Sequence, residues 1–115
     1  MDIKERISII ENDDKGIEEH MLHQLLELAM AVTGRGDVGD DYTKFIEFPI
    51  GEATIFSDPY YGSVQIDEEE LDSVSIKKLI KDIKKRLIQF DEKIKTTREK
   101  LATDIFDKPI EGIID

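Results

Sequence analysis

The chain has 115 residues, with 27 Asp and Glu against 16 Lys and Arg, no cysteine, and a formal net charge of −11. No cysteine means no disulfides and no thiolate metal sites. No stretch approaches the ~18 consecutive apolar residues of a membrane span, and so acidic a surface repels most nucleic acid.

The length fits one domain over 1–115 with a core of its own. The first residues, MDIKERISIIENDD, carry Asp2 and Glu5 where a signal peptide would need an apolar run. The expectation is therefore a cytoplasmic protein. The charge is uneven. Residues 1–72 hold 5 Lys/Arg and 19 Asp/Glu, whereas residues 73–100 hold 10 and 4. An acidic body thus carries one basic helical segment.

In chain order, Ile3, Ile7 and Ile10 share one helical face, and Asp2 is placed to cap it. A second helix is predicted from about Ile17 to Thr33. Its stripe of Met21, Leu22, Leu25, Leu28, Ala29 and Val32, widened by Leu26 and Met30, marks it as central. Gly34 is placed to end it. The period then changes to two. Ile46, Phe48 and Ile50 point one way, while Phe45 and Glu47 point the other. Gly51-Glu52 reads as a two-residue hairpin turn. Residues 53–56 and 63–66 read as two more strands, with the Asp58-Pro59 turn between them. Pro49 places the first strand at an edge.

From Ile76 the apolar spacing is 4, 3, 4, 3, 4, 3, 4, through Ile80, Ile83, Leu87, Phe90, Ile94, Thr97 and Leu101. This heptad predicts a helix over 74–104, ~45 Å long. Such a helix would outreach a small sheet, so either the N-terminal helix folds back over its far half or another chain covers it; the second is preferred, with Phe90, Ile94, Thr97 and Leu101 as the expected interface of a homo-oligomer. The fold class is α+β: helices over 2–33, a three-stranded antiparallel meander over 44–66, and the long helix.

The stretch TGRGDVGDDYT, residues 33–43, has the letters of a dinucleotide loop. It follows a helix and opens a strand, the reverse of the required context, and Asp40 and Asp41 would repel a pyrophosphate. As a calcium loop from Asp37 it has Tyr42 and Phe48 where Gly and Glu are required. It is read as a turn, with Asp37, Asp40 and Asp41 as a weak cation alternative. Its Arg35-Gly36-Asp37 carries no adhesion reading in a chain with no export signal. His20 and His23, with Glu19 and Glu27, are spaced for a metal set on one helix. They lack the HExxH pattern and read better as polar residues at a helix margin.

Serines 8, 57, 63, 73 and 75 have no nucleophile-elbow context, so no catalytic residue is assigned and no enzyme is expected. No metal and no cofactor is assigned either. The run Lys77, Lys78, Lys81, Lys84, Lys85 and Arg86 flanks the heptad stripe. It reads as a solvated flank, as a match for acids at 11–19 and 67–72, or as a phosphate-binding surface; without interleaved aromatics it gives no sequence-specific nucleic-acid site. The expected function is a small acidic non-enzymatic protein-binding module, with an inhibitor that occludes a basic, nucleic-acid-binding partner as one form. Asp67, Glu68, Glu69, Glu70 and Asp72, with Tyr60 and Tyr61, are the candidate partner-binding residues. The alternatives are a dimeric helical nucleic-acid-binding or regulatory module using 77–86, or a small assembly protein. In size and acidity the chain resembles small secretion chaperones and phage-type inhibitor and immunity proteins, a resemblance of composition from which no residue role follows.

Overall fold

The computed structural model describes residues 2–14, 16–39, 44–93, 100 and 104–113. Helix α1 spans Ile3–Asp13, and the Asp2 carboxylate accepts the Glu5 backbone N–H at 2.8 Å, which satisfies one orphan donor of the first turn. Ile7 is buried, and Ile3 and Ile10 pack at the margin of the core. Helix α2, Glu18–Thr33, is the central helix that its pattern predicts. Leu22, Leu25, Leu26, Leu28 and Ala29 are buried to the last percent. It ends at Gly34, which adopts φ 72 and donates to the Met30 carbonyl.

The sheet is an antiparallel meander of five strands in chain order. The three predicted strands are present as β2 (Ile46–Ile50), β3 (Ala53–Asp58) and β4 (Ser63–Ile66). One two-residue strand is added at each edge: β1 (Asp37–Val38) before them and β5 (Glu69–Glu70) after them. Both additions are too short to be signalled by period-two alternation, and β5 consists of two glutamates, which are depleted in strands. At β1, Gly36 makes the approach possible, since a Cβ there would lie 2.9 Å from the Glu47 carbonyl oxygen. At β5, the chain reverses through Asp67 and Glu68, with φ of 49 and 72. Thr54 pins that turn: it donates its N–H to the Asp67 carboxylate at 2.9 Å and accepts the Asp67 N–H at 3.0 Å. β1 reaches only Ile46 and Glu47. Pro49 therefore stands where β2 is the sheet's open edge, and its missing donor costs no ladder bond.

The alternation sorts the sheet into two faces. Ile46, Phe48, Ile50, Ile55, Val64 and Ile66 are buried inward. Helix α2 lies across β2 and β3, helix α3 (Ser73–Glu92) packs alongside α2, and α1 sits against both helices. Asp72 caps α3 by accepting the Ser75 N–H at 2.8 Å, and Ile76, Leu79, Ile80, Ile83, Leu87 and Phe90 are buried.

Helix α3 departs from the predicted 74–104. It ends at Lys93, and residues 104–113 lie antiparallel along it. The Arg86 guanidinium donates to the Ile105 carbonyl at 2.7 Å; one unbroken helix would place these residues about 28 Å apart. The heptad identified the apolar face of α3 correctly, but spacing alone does not say which segment covers that face. Ile105, Phe106 and Ile113 share in covering the core. At 20 residues, α3 is about 30 Å long. It fits within principal extents of 39 × 30 × 29 Å and does not outreach the fold. Among the described residues no helix is long and apolar enough to cross a membrane.

Candidate functional site

The face of the sheet away from the helices is open. The register places Asp37 beside Glu47 and Glu70 beside Gln65, all on this face. Phe56 stands between Glu47 and Gln65 across β3. Phe45 packs on it with ring centroids 5.2 Å apart. Glu47, Thr54, Phe56, Gln65, Asp67 and Glu68 line a shallow groove of about 580 Å³. One Asp67 oxygen is fixed by the Thr54 N–H, and Glu70 accepts the Ser63 hydroxyl at 3.3 Å.

No Lys or Arg stands on any strand of this sheet. Residues 44–72 hold one lysine, Lys44, against eight carboxylates, a net of −7. The ion pairs among the described residues all lie elsewhere. Lys77 pairs with Glu18, Lys84 with Glu11, Lys4 with Glu92, Arg86 with Asp82 and Arg35 with Asp107. Several cations of the helical layer thus pair with its own acids, whereas Asp37, Glu47, Asp67, Glu68 and Glu70 make no ion pair among the described residues.

The structure divides the expected partner-binding residues. Asp67 and Glu68 line the groove, and Glu70 stands on the same face. Glu69 turns to the other side and borders a recess with Ala53, Ile66, Ile110 and Ile113. Asp72 serves as the cap of α3, and its carboxyl pKa is lowered by the hydrogen bonds from Ser75. Tyr60 and Tyr61 lie at the opposite end of β4, about 13 Å away along four residues. Both rings are almost fully exposed, at 77% and 79%, and they pack edge to face on each other rather than on the body. The Asp58 carboxylate shapes their loop by accepting the N–H groups of both.

Of the expected oligomer interface, Phe90 is buried in the chain's own core; Ile94, Thr97 and Leu101 lie outside the described residues. The basic run is also divided. Lys77 and Lys84 pair with Glu18 and Glu11, at 3.4 and 3.0 Å, which matches the expected intramolecular pairing with 11–19. Arg86 is buried and serves the fold. Lys78, Lys81 and Lys85 remain as an exposed stripe.

In the 33–43 stretch, residues 33–34 close α2 and 37–38 form β1, while Asp40, Asp41 and Tyr42 lie outside the described residues. Arg35 of the Arg-Gly-Asp tripeptide is engaged internally with Asp107 at 2.7 Å. Among the described residues no group of three or more His, Asp or Glu side chains converges to hold a metal. His20 is exposed and His23 is buried, so the pair does not share an environment.

The contact that the sequence conceals is between His23 and Ser57. Nδ1 of His23 lies 2.9 Å from Ser57 Oγ, and Glu27 Oε1 lies 3.5 Å from Nε2. One neutral tautomer serves both: Nε2–H faces Glu27, and Nδ1 accepts from the hydroxyl. The order serine, histidine, carboxylate imitates a hydrolase triad, but Ser57 is only 1% exposed and offers a substrate no approach. The pair instead ties α2 to β3 through a satisfied polar contact inside the core. Burial lowers the His23 pKa from 6.5, against the raising influence of Glu27 and Asp58. A serine at an inward position of β3 was the available signal, since Ile55 two residues earlier fixes the parity; nothing local named its partner.

Comparison of the chain with protein-family models, curated proteins and solved structures finds no match.

Proposed function

We propose that this chain is a small non-enzymatic protein-binding module of the cytoplasm, and that the open sheet face is the surface that meets a basic protein. The observation that carries the reading is the division of charge. Several cations of the helical layer are paired with its own acids, while the carboxylates around Phe56 make no ion pair among the described residues. Uncompensated charge with aromatic rings at its centre suits an interface: the charge steers encounter, and the rings supply desolvated contact. An inhibitor that covers the nucleic-acid-binding surface of its target is the concrete form, because such targets display the matching positive field.

The test is affinity capture from nuclease-treated native lysate, with the wild-type chain beside a Glu47→Lys, Glu68→Lys, Glu70→Lys variant. A stoichiometric basic protein retained by the first, lost from the second and released by salt is the expected result. Equal capture by both would remove the sheet face from the interface.

A second reading rests on Lys78, Lys81 and Lys85, which lie on one exposed stripe of α3. A nucleic-acid module using this stripe predicts duplex binding that falls steeply as salt rises. With Lys77 and Lys84 paired and Arg86 buried, only half of the six-residue run is left to supply it.

A further inference from the structure

We propose that the groove on the open sheet face is a seat for arginine side chains of the partner, and that it selects guanidinium over ammonium. The inference rests on the protein-binding reading above and gives the partner surface a chemical identity.

The groove has the parts that a guanidinium uses. Its floor is Phe56, a ring braced by Phe45 at 5.2 Å. Its walls are carboxylates on two sides: Glu47 on β2, and Asp67 with Glu68 at the β4–β5 turn. Asp67 is held in place by the Thr54 N–H, so one wall is preorganised. Glu47 and Glu68 make no hydrogen bond or ion pair through their side chains among the described residues, and both stand exposed. Thr54 and Gln65 add neutral polar atoms to the lining.

A guanidinium is planar and weakly hydrated. It stacks on an aromatic face while its edges donate in pairs to carboxylates. An ammonium is compact and strongly hydrated, and it gains little from an aromatic floor at a partly wet site. Carboxylates alone would attract either cation through the general field. Carboxylates around a ring favour the flat one. The partner segment is therefore expected to be rich in arginine, with its side chains laid across β2, β3 and β4.

The experiment uses the full chain and two fluorescein-labelled octamers, one of arginine and one of lysine, titrated by anisotropy at 50 mM and 200 mM salt. The expected result is an arginine preference of about five-fold in Kd, the scale of one cation–π contact at an exposed site. Phe56→Leu should bring the preference within two-fold while leaving the lysine affinity unchanged. Thr54→Arg, at an exposed position, fills the groove with the chain's own guanidinium and should also remove the preference; it covers the case in which Phe56→Leu disturbs folding. Amide shifts on binding the arginine octamer should centre on Glu47, Thr54, Phe56, Gln65 and Glu68.

Equal, salt-sensitive affinity for both octamers would overturn the arginine seat and leave the acidic docking face standing. An arginine preference that survives both substitutions would also overturn it. Binding of neither octamer at 50 mM salt would remove the acidic docking face as well.

Discussion

Arg86 donates through Nη1 to the carbonyl of Ile105 at 2.7 Å, and the same nitrogen reaches the carbonyl of Lys108 at 2.8 Å. Nη2 reaches the Pro109 carbonyl at 3.2 Å, and Nε meets Asp82 at 2.7 Å. One guanidinium thus satisfies several backbone acceptors that the returning segment, helical only at 104–106, would otherwise bury unpaired. The segment is held at other points too. Gly51 donates to the Phe106 carbonyl at 2.8 Å, and a Cβ on Gly51 would come within 2.9 Å of Pro109.

Replacing Arg86 by methionine should therefore destabilise the fold by about 3 kcal/mol in urea, since it leaves carbonyls and a carboxylate without their donor. Arg86→Lys should recover less than half of the loss, because an ammonium on a flexible stem cannot fork to three carbonyls and Asp82 together. Wild-type stability in Arg86→Met would mean that the C-terminal segment docks by its apolar side chains alone.

His23 sets a pH dependence whose sign follows from its burial. Its folded pKa lies below 6.5 because desolvation outweighs the attraction of Glu27 and Asp58, with His20 adding a small lowering influence. As pH falls through 6.5, the unfolded chain takes up the proton before the folded one. Stability is thus fully present above 6.5, declines as pH falls toward the folded value, and levels off beneath it. The protein should lose stability between pH 7 and pH 5, and His23→Gln should flatten that slope while lowering stability throughout. Parallel urea-midpoint profiles for the two proteins would contradict the assignment.

The legible parts of the fold were those written in periodicity. The stripe of α2, the inward set Ile46, Phe48 and Ile50, the Gly51-Glu52 turn and the cap Asp2 each depend on neighbours within a few residues. The parts that escaped depend on distant contacts. β5 is Glu69-Glu70, a pair with no strand preference, and it exists because Asp67 is tied to Thr54 thirteen residues earlier. The heptad of α3 was real as an apolar face, but its cover is intramolecular at Phe90, and the cover includes Ile105 and Phe106. The candidate site was half visible. Period two turns Phe45 and Glu47 away from the core, and the acids at 67–70 read as exposed charge. Only the register of three strands brings Phe56, Glu47 and Glu68 to one groove.

The turn that carries Glu68 holds a cost that can be measured. Hairpins of two residues favour Asn-Gly or Asp-Gly, because both positions take φ > 0. Here the second position is Glu68 at φ 72, and a side chain in that region costs roughly 1 kcal/mol. Glu68→Gly should raise stability by about 0.5–1 kcal/mol, part of the relief being offset by added freedom in the unfolded chain. The same substitution should weaken the arginine octamer more than two-fold. A variant that gains stability and keeps its affinity would show that the carboxylate is not part of the seat.

The undivided negative charge of the sheet face also predicts how stability responds to salt. Asp37, Glu47, Asp67, Glu68 and Glu70 repel one another across a sheet whose strands carry no Lys or Arg, and this repulsion is relieved when the chain unfolds. The Debye length falls from about 30 Å at 0.01 M to about 8 Å at 0.15 M, so exposed like charges at sheet spacings are progressively screened. The ion pairs of the helical layer oppose this trend, but exposed pairs such as Lys4–Glu92 contribute little, and the buried Arg86–Asp82 contact is only weakly screened. The melting temperature should therefore rise by roughly 4 °C over this range of sodium chloride. Glu47→Gln with Glu70→Gln should raise it at 0.01 M and reduce the response to salt. A melting temperature that falls with salt in the wild type would mean that the helical ion pairs dominate, and that the sheet face carries its charge without strain.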